Sequence, residues 1–326
     1  MDSNEYVIGE QLLLFQDKDM LLNRGALELK RLNLDEAKKA FQRYKELYKD
    51  GDNIDNKLKI TEFLIQGFKD APRSDPDEAV YLYKLWKAFQ SYMKSIDSKS
   101  EIFVSEVKSS FFQKLLKAID QYDLSDAPYL YDNVPMGYVY MQASKYDIAV
   151  KSLQACILTT PDNAAIYGYL GDSYILRGDP VVARYCYLEA CLISPAEIDW
   201  DHVKDKEIRD LREQLIETFD MNKSLATEWL PSYAYIQGLF RPKSIKINEG
   251  LKEFVDEYLA LKKAYLKEQT SELRAKLFIR GIILCDNEPF LRLIKKIDFV
   301  DIRRQMKEMN PSLFSRYMKC IESSKG

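Results

Sequence analysis

The sequence predicts an all-α protein built from stacked antiparallel helical hairpins, and three observations carry that prediction. Residues 130–163 and 164–197 place the same small and large residues at the same offsets, 34 apart. A fixed period of that length is the mark of helical-hairpin arrays. Only 12 glycines occur in 326 residues, too few for the turns of an all-β chain of this size. Apolar residues, 46% of the total, recur at helical spacing over most of the chain.

Taken in order, an amphipathic segment at Met20–Leu32 precedes Asp35–Tyr44, where Ala37, Phe41 and Tyr44 have the spacing of a hairpin's second helix and Gly25 stands at the small position of the first. This is a degenerate copy of the unit over about residues 18–50. Gly25 and Gly137 are 112 residues apart, not a multiple of 34, so the hairpins between them have irregular lengths. Helices follow at Ile54–Phe68, Pro76–Ile96 and Ser100–Ile119. The loop Ala71–Pro76 separates the first two, and Asp75-Pro76 with Asp77 and Glu78 makes a good helix start. Val80, Tyr83, Trp86, Ala88, Phe89, Tyr92 and Met93 cover more than one helix face, as in a helix packed on two sides.

The two regular units carry the densest pattern. In the second, Tyr167, Leu170, Gly171, Tyr174, Ala183, Tyr187, Ala190 and Pro195 fill offsets 4, 7, 8, 11, 20, 24, 27 and 32. In the first, Met136, Gly137, Tyr140, Ala149, Leu153, Cys156 and Pro161 match, and Asn133 departs. Small residues such as Gly171 and Ala183 let two helix axes approach, while Tyr174 and Tyr187 fill the gaps beside them. Gly178 suits a left-handed helix end, Asp179 can accept from free amides and Pro180 suits a first turn. Pro161 and Asp162 do a similar job between the copies. Pro135 should fall in the first turn of a helix that starts late, near Asp132.

At all eight offsets the second unit resembles the tetratricopeptide repeat, and the first does so at seven. The resemblance implies a right-handed α-solenoid with a C-terminal helical extension. It also implies a concave groove lined by the first helix of each hairpin. Carried over position by position, the lining is Tyr131, Val134, Tyr138, Met141 and Gln142, then Ala165, Gly168, Asp172, Ile175 and Leu176. That lining is mostly apolar with one acid, and suits an extended or helical protein segment with apolar anchors. Acidic chaperone tails are excluded, because Val134, Tyr138, Gly168 and Asp172 stand where cationic and amide donors would be needed. The alternative is that another helix of the same chain fills the groove.

Beyond Glu197 a further copy in phase would put Lys204 and Asp205 at the two innermost positions, where unpaired burial is too costly. The array therefore ends, and the charged run Asp201–Glu213 is read as a solvated helix capping Ala183–Ile193. Leu225–Phe240, with Trp229, Tyr233, Tyr235 and Phe240, is interrupted by Pro231, and Arg241–Ser244 is the best linker. Helices then follow at Gly250–Lys267, Ser271–Cys285, Pro289–Ile297 and Pro311–Ile321. Four regions result: 1–127 with the degenerate hairpin, 128–197 with the two regular units, 198–240 as capping helices and 241–326 as the C-terminal helices.

Composition narrows the function. A net charge of −3 and a pI near 5.6 remove the usual electrostatic drive toward nucleic acid. Lys295, Lys296, Arg303 and Arg304 alternate with Ile294, Ile297, Val300 and Ile302, the pattern of helices with one wet face. No apolar run approaches the roughly 20 residues needed to span a bilayer, and Met1–Glu5 is acidic where a secretory signal would be basic, so a cytoplasmic protein is expected. The five cysteines form no close-set framework and are expected as free, mostly buried thiols. The single histidine, His202, sits in a charged run without partner ligands, and Cys186 and Cys191 point about 140° apart on a helix. Gly168–Gly171 lies inside a helix and lacks the lysine and strand of a phosphate loop. Acid pairs such as Asp35-Glu36 and Asp77-Glu78 stand at helix starts, where the helix dipole favours them. The expectation is a non-enzymatic adaptor or scaffold without a cofactor. The alternatives are a dedicated chaperone of one client and a nucleic-acid-binding regulator using the C-terminal basic helices.

Overall fold

The computed structural model describes residues 18–48, 54–72, 77–96, 101–121, 127–132, 134–200, 202–218, 221–240, 249–292 and 296–323. Met1–Glu5, Asn133, Asp201, Ile294, Lys295, residues 73–76 of the expected loop and the expected linker Arg241–Ser244 lie outside them. Among the described residues the chain is all but wholly helical, with one two-stranded hairpin. It divides into two compact units, Met1–Ser152 and Leu153–Gly326.

The first unit contains α1 (residues 18–30), α2 (Leu34–Leu47), α3 (Ile54–Lys69), α4 (Asp77–Ile96), α5 (Glu101–Gln121), β1 (Tyr129–Tyr131), β2 (Val134–Pro135), α6 (Met136–Gln142) and the start of α7 (Tyr146–Thr159). Its core is aromatic: Trp86 of α4 lies 5.1 Å from the ring of Phe111 and 5.4 Å from that of Phe112, both on α5. Such ring pairs contribute about 0.5–1.5 kcal/mol each beyond area burial. The ring of Phe41 on α2 fills the space where a side chain on Gly25 would stand, so α1 and α2 pack by the small-against-ring contact expected of a hairpin unit.

The helix expected to start near Asp132 starts at Met136 instead. Pro135 is its N-cap residue, with extended backbone (φ −68, ψ 141), and the proline disfavours helix at Val134. Asp132 turns the chain at φ 43, β1 pairs antiparallel with β2, and the Met136 amide donates to the Pro128 carbonyl at 2.9 Å.

The second unit holds the rest of α7, α8 (Ala164–Arg177), α9 (Pro180–Ile193), α10 (Lys206–Thr218), α11 (Lys223–Ile236), α12 (Glu249–Lys267), α13 (Ser271–Asp286), α14 (Glu288–Leu291), α15 (Phe299–Met309) and α16 (Pro311–Ser323). Asn163, rather than Pro161 or Asp162, caps α8 by accepting from the Ile166 amide at 3.2 Å. Pro180 begins α9 as expected, but Asp179 makes no side-chain cap and is held instead by Arg177 at 2.6 Å. Pro231 does not interrupt its segment: α11 runs through it, with Trp229, Leu230, Pro231, Tyr233 and Ala234 all buried. Packing of that helix on α13 offsets the roughly 3 kcal/mol that an internal proline costs. The carboxylate of Asp286 accepts from Tyr235 at 2.9 Å and Tyr317 at 2.7 Å, tying α11, α13 and α16 together.

One turn recurs at four helix ends. At Ser144 the amide donates to the Met141 carbonyl at 3.1 Å and the next amide, of Lys145, to Tyr140 at 2.9 Å. Thirty-four residues on, Gly178 donates to Ile175 at 3.0 Å and Asp179 to Tyr174 at 2.8 Å. The pair appears again at Leu32 and at Gly238, and all four residues are left-handed, with φ of 61, 64, 96 and 77 for Leu32, Ser144, Gly178 and Gly238. These are the bonds that satisfy the last carbonyls of a helix.

Candidate functional site

The expected groove lining divides between the two units. In the first, Tyr131 and Val134 lie on the β1–β2 hairpin and not on a helix. Tyr131 is exposed, with the Lys84 ammonium 4.6 Å from its ring centre, and Val134 is half-buried. Tyr138, Met141 and Gln142 are inside the protein, at 5%, 3% and 4% exposure. Tyr138 meets the ring of Phe112 edge-on at 6.3 Å, which makes it part of the packing on α5.

In the second unit, Gly168 and Asp172 are buried, Ala165 and Ile175 half-buried and Leu176 exposed. The cover on α8 is the chain itself. A Cβ on Gly168 would be in ordinary contact, 3.5 Å, with Ile198, and the Asp172 carboxylate accepts from the Lys204 amide at 2.7 Å and from the Tyr187 hydroxyl. The covering residues 195–200 and 202–205 are braced: Trp200 Nε1 donates to the Pro195 carbonyl at 2.7 Å, and the Arg212 guanidinium of α10 lies 5.6 Å from the centre of the Trp200 ring. Against the solvated run expected from the sequence, Asp205 is buried, because it is paired. Its carboxylate takes Arg184 Nε at 2.8 Å and also caps α10 through the amides of Glu207 and Ile208. Burial pushes the pKa of Asp172 up to about 6, against the lowering effect of its two hydrogen bonds.

An open cleft of about 700 Å³ lies instead on the first unit. It is bounded by Arg31 and Leu32 after α1, Leu34 and Asp35 at the start of α2, Ile65, Phe68 and Lys69 on α3, and Ser110, Gln113, Lys114 and Lys117 on α5. Its long walls are thus α3 and α5, and the turn between α1 and α2 closes one side. Four cations and one acid face it. Arg31 has a long ion pair with Glu28 at 3.5 Å, and the Lys114 ammonium lies 5.2 Å from the Phe68 ring centre. The volume lies within the 300–1,000 Å³ of ordinary ligand sites. Nothing in the local sequence marks this cleft, because its cations come from a turn, from α3 and from α5, and each reads as part of an ordinary wet face.

The C-terminal basic residues are held by acids of the chain. Lys296 meets Asp256 at 3.0 Å, Arg303 pairs with Glu288 and Arg304 with Asp301. His202 is half-buried, with Nδ1 2.9 Å from Asp199. Cys156, Cys186, Cys191 and Cys285 are buried free thiols and Cys320 is exposed. Among the described residues no group of three or more His, Cys, Asp or Glu could hold a metal ion, and no helix is long and apolar enough to cross a membrane. No family model matches the sequence, and neither a curated protein nor a solved structure matches it.

Proposed function

We propose that this chain is a non-catalytic protein-binding module of the tetratricopeptide-repeat type, an adaptor or scaffold in the cytoplasm. In this proposal the chain grips a segment of another protein in the cleft between α3, α5 and the turn joining α1 to α2. The observation that carries the proposal is that cleft, an open concavity bounded by α3, α5 and the turn between α1 and α2. Further support comes from the small-against-ring contacts at Gly25–Phe41 and Gly171–Tyr187 and from the helix-end turns shared by Leu32, Ser144 and Gly178. Among the groups strongly displaced in pKa, Asp172, Tyr187, Tyr235 and Tyr317 are buried partners of one another or of Asp286, and Cys191, Cys285 and Tyr258 are raised chiefly by burial. Their shifts therefore belong to the interior of the fold, which favours a binding role over a catalytic one.

A photo-reactive amino acid placed at Gln113, exposed in the cleft, should cross-link a discrete protein in lysate of the source organism. The same group at Lys307, exposed on α15, should not. Identical cross-linking patterns from the two positions would reject the cleft as the binding surface.

A further inference from the structure

We infer that the cleft between α3, α5 and the α1–α2 turn recognises an acidic protein segment that carries large apolar side chains between its carboxylates. This rests on the proposal that the cleft is the binding surface. The chain as a whole has a net charge of −3, yet the side chains around the cleft comprise Arg31, Lys69, Lys114 and Lys117 against Asp35 alone. Among the described residues Lys69 and Lys117 have no ion-pair partner, and both are exposed. The nearest thing to a partner for Lys114 is an aromatic face, and for Arg31 a pair at 3.5 Å. Four like charges around one concavity repel each other, and a ligand with carboxylates relieves that repulsion as it binds.

The floor decides between kinds of anion. Leu32, Leu34, Ile65 and Phe68 put apolar surface beneath the cations, and Ser110 and Gln113 supply side-chain donors and acceptors along the α5 wall. A nucleic-acid backbone would use the charges but leave that floor with nothing to bury except a base on Phe68, which already has the Lys114 ammonium beside its ring. A peptide chain uses all three: carboxylates for the rim, a leucine or phenylalanine for the floor and backbone amides for Ser110 and Gln113. Leu32 itself is held left-handed, at φ 61, and a leucine there stands in strained backbone. The turn at Leu32 joins the C-terminal end of α1 to the N-terminal end of α2, and Arg31 and Asp35 on either side of it line the same opening.

The test uses the full chain and fluorescence anisotropy with three end-capped labelled probes: a peptide alternating Glu-Asp pairs with Leu and Phe, its Gln-Asn counterpart, and a single-stranded RNA of equal length. The acidic peptide should bind at least about tenfold tighter than the amide peptide, and added salt should weaken it. The double variant Lys69→Glu/Lys117→Glu changes exposed side chains, so its circular dichroism should match the parent while its affinity for the acidic peptide falls about tenfold or more. Equal binding of the acidic and amide peptides, with loss of both in Phe68→Lys, would reject the charge rule and leave the cleft as a protein-binding surface. Binding of neither peptide at any concentration would reject both. RNA bound more tightly than the acidic peptide would overturn the choice of a protein partner.

Discussion

The ring of Tyr187 stands where the first carbon of any side chain on Gly171 would have to go: a Cβ there would lie 2.9 Å from Cε1 of the tyrosine. The ring cannot drift, because its hydroxyl is bonded to Asp172. Gly171→Ala therefore forces α8 and α9 apart. An overpacking cost of about 1–3 kcal/mol exceeds the roughly 0.5–1 kcal/mol that alanine gains in a helix interior. Three residues earlier, a Cβ on Gly168 would only touch Ile198, at 3.5 Å. Gly168→Ala should raise the urea midpoint while Gly171→Ala lowers it, and changes of the same sign would refute the contact.

Asp172 should make stability depend on acidity in an unusual direction. Its native pKa is pushed up to about 6 from the ordinary 3.8, so between those values the folded chain binds more protons than the unfolded one. Stability contributed by this group is then greatest below the lower value, falls as the pH rises through the window and is level above it. Asp172→Asn keeps an acceptor but cannot ionise. Relative to that variant, the wild type should lose on the order of 1–3 kcal/mol between pH 4 and pH 7. Chemical denaturation of both proteins at the two pH values measures this, and a constant difference would contradict it.

Gly178 tests the backbone without packing. No atom lies within 4 Å of where its Cβ would be, yet its φ is 96. Gly178→Ala should cost about 1 kcal/mol by strain alone. At Ser144, φ 64, the strain is already present, and Ser144→Gly should recover roughly a few tenths of a kcal/mol, reduced by loss of the 3.3 Å contact with Ser109 Oγ. Thermal melts of the two single variants should shift in opposite directions.

Thiol chemistry should separate one cysteine from four. Burial raises the thiol pKa of Cys156, Cys191 and Cys285, and Cys186 is buried too, whereas Cys320 is exposed. An aromatic disulfide reagent should titrate one thiol rapidly in the native protein and five after denaturation. Two or more fast equivalents in the native state would show that the helices around Cys186 or Cys156 open readily.

Periodicity reached what is local. The ends of α8 and α9 follow from Gly178 and Pro180, and the small-against-ring contacts follow from the spacing of Gly171 and Tyr187. What it missed depends on residues distant in sequence. The cost of burying Asp205 unpaired makes its run read as solvated, but its partner Arg184 is 21 residues away on α9, and with that pair the residue is packed. The groove lining failed for two separate reasons. Pro135 and the left-handed Asp132 replaced a helical turn with a strand hairpin, and Ile198 and Lys204 came to rest on α8. The basic cleft left no trace in the sequence, since helical spacing shows that Lys69, Lys114 and Lys117 are wet but not that they share one opening.

That Ile198 and Lys204 lie on α8 has a consequence for any outside chain seeking that face. The segment that bears them acts as a competitor supplied in cis, and a short tether gives such an occupant an effective concentration on the order of millimolar whatever the amount of protein present. Each 1.4 kcal/mol or so with which Asp172, Arg184 and the apolar contact of Ile198 hold it in place weakens the outsider about tenfold. The most regular hairpin in the molecule is thereby the one whose ligand is already chosen.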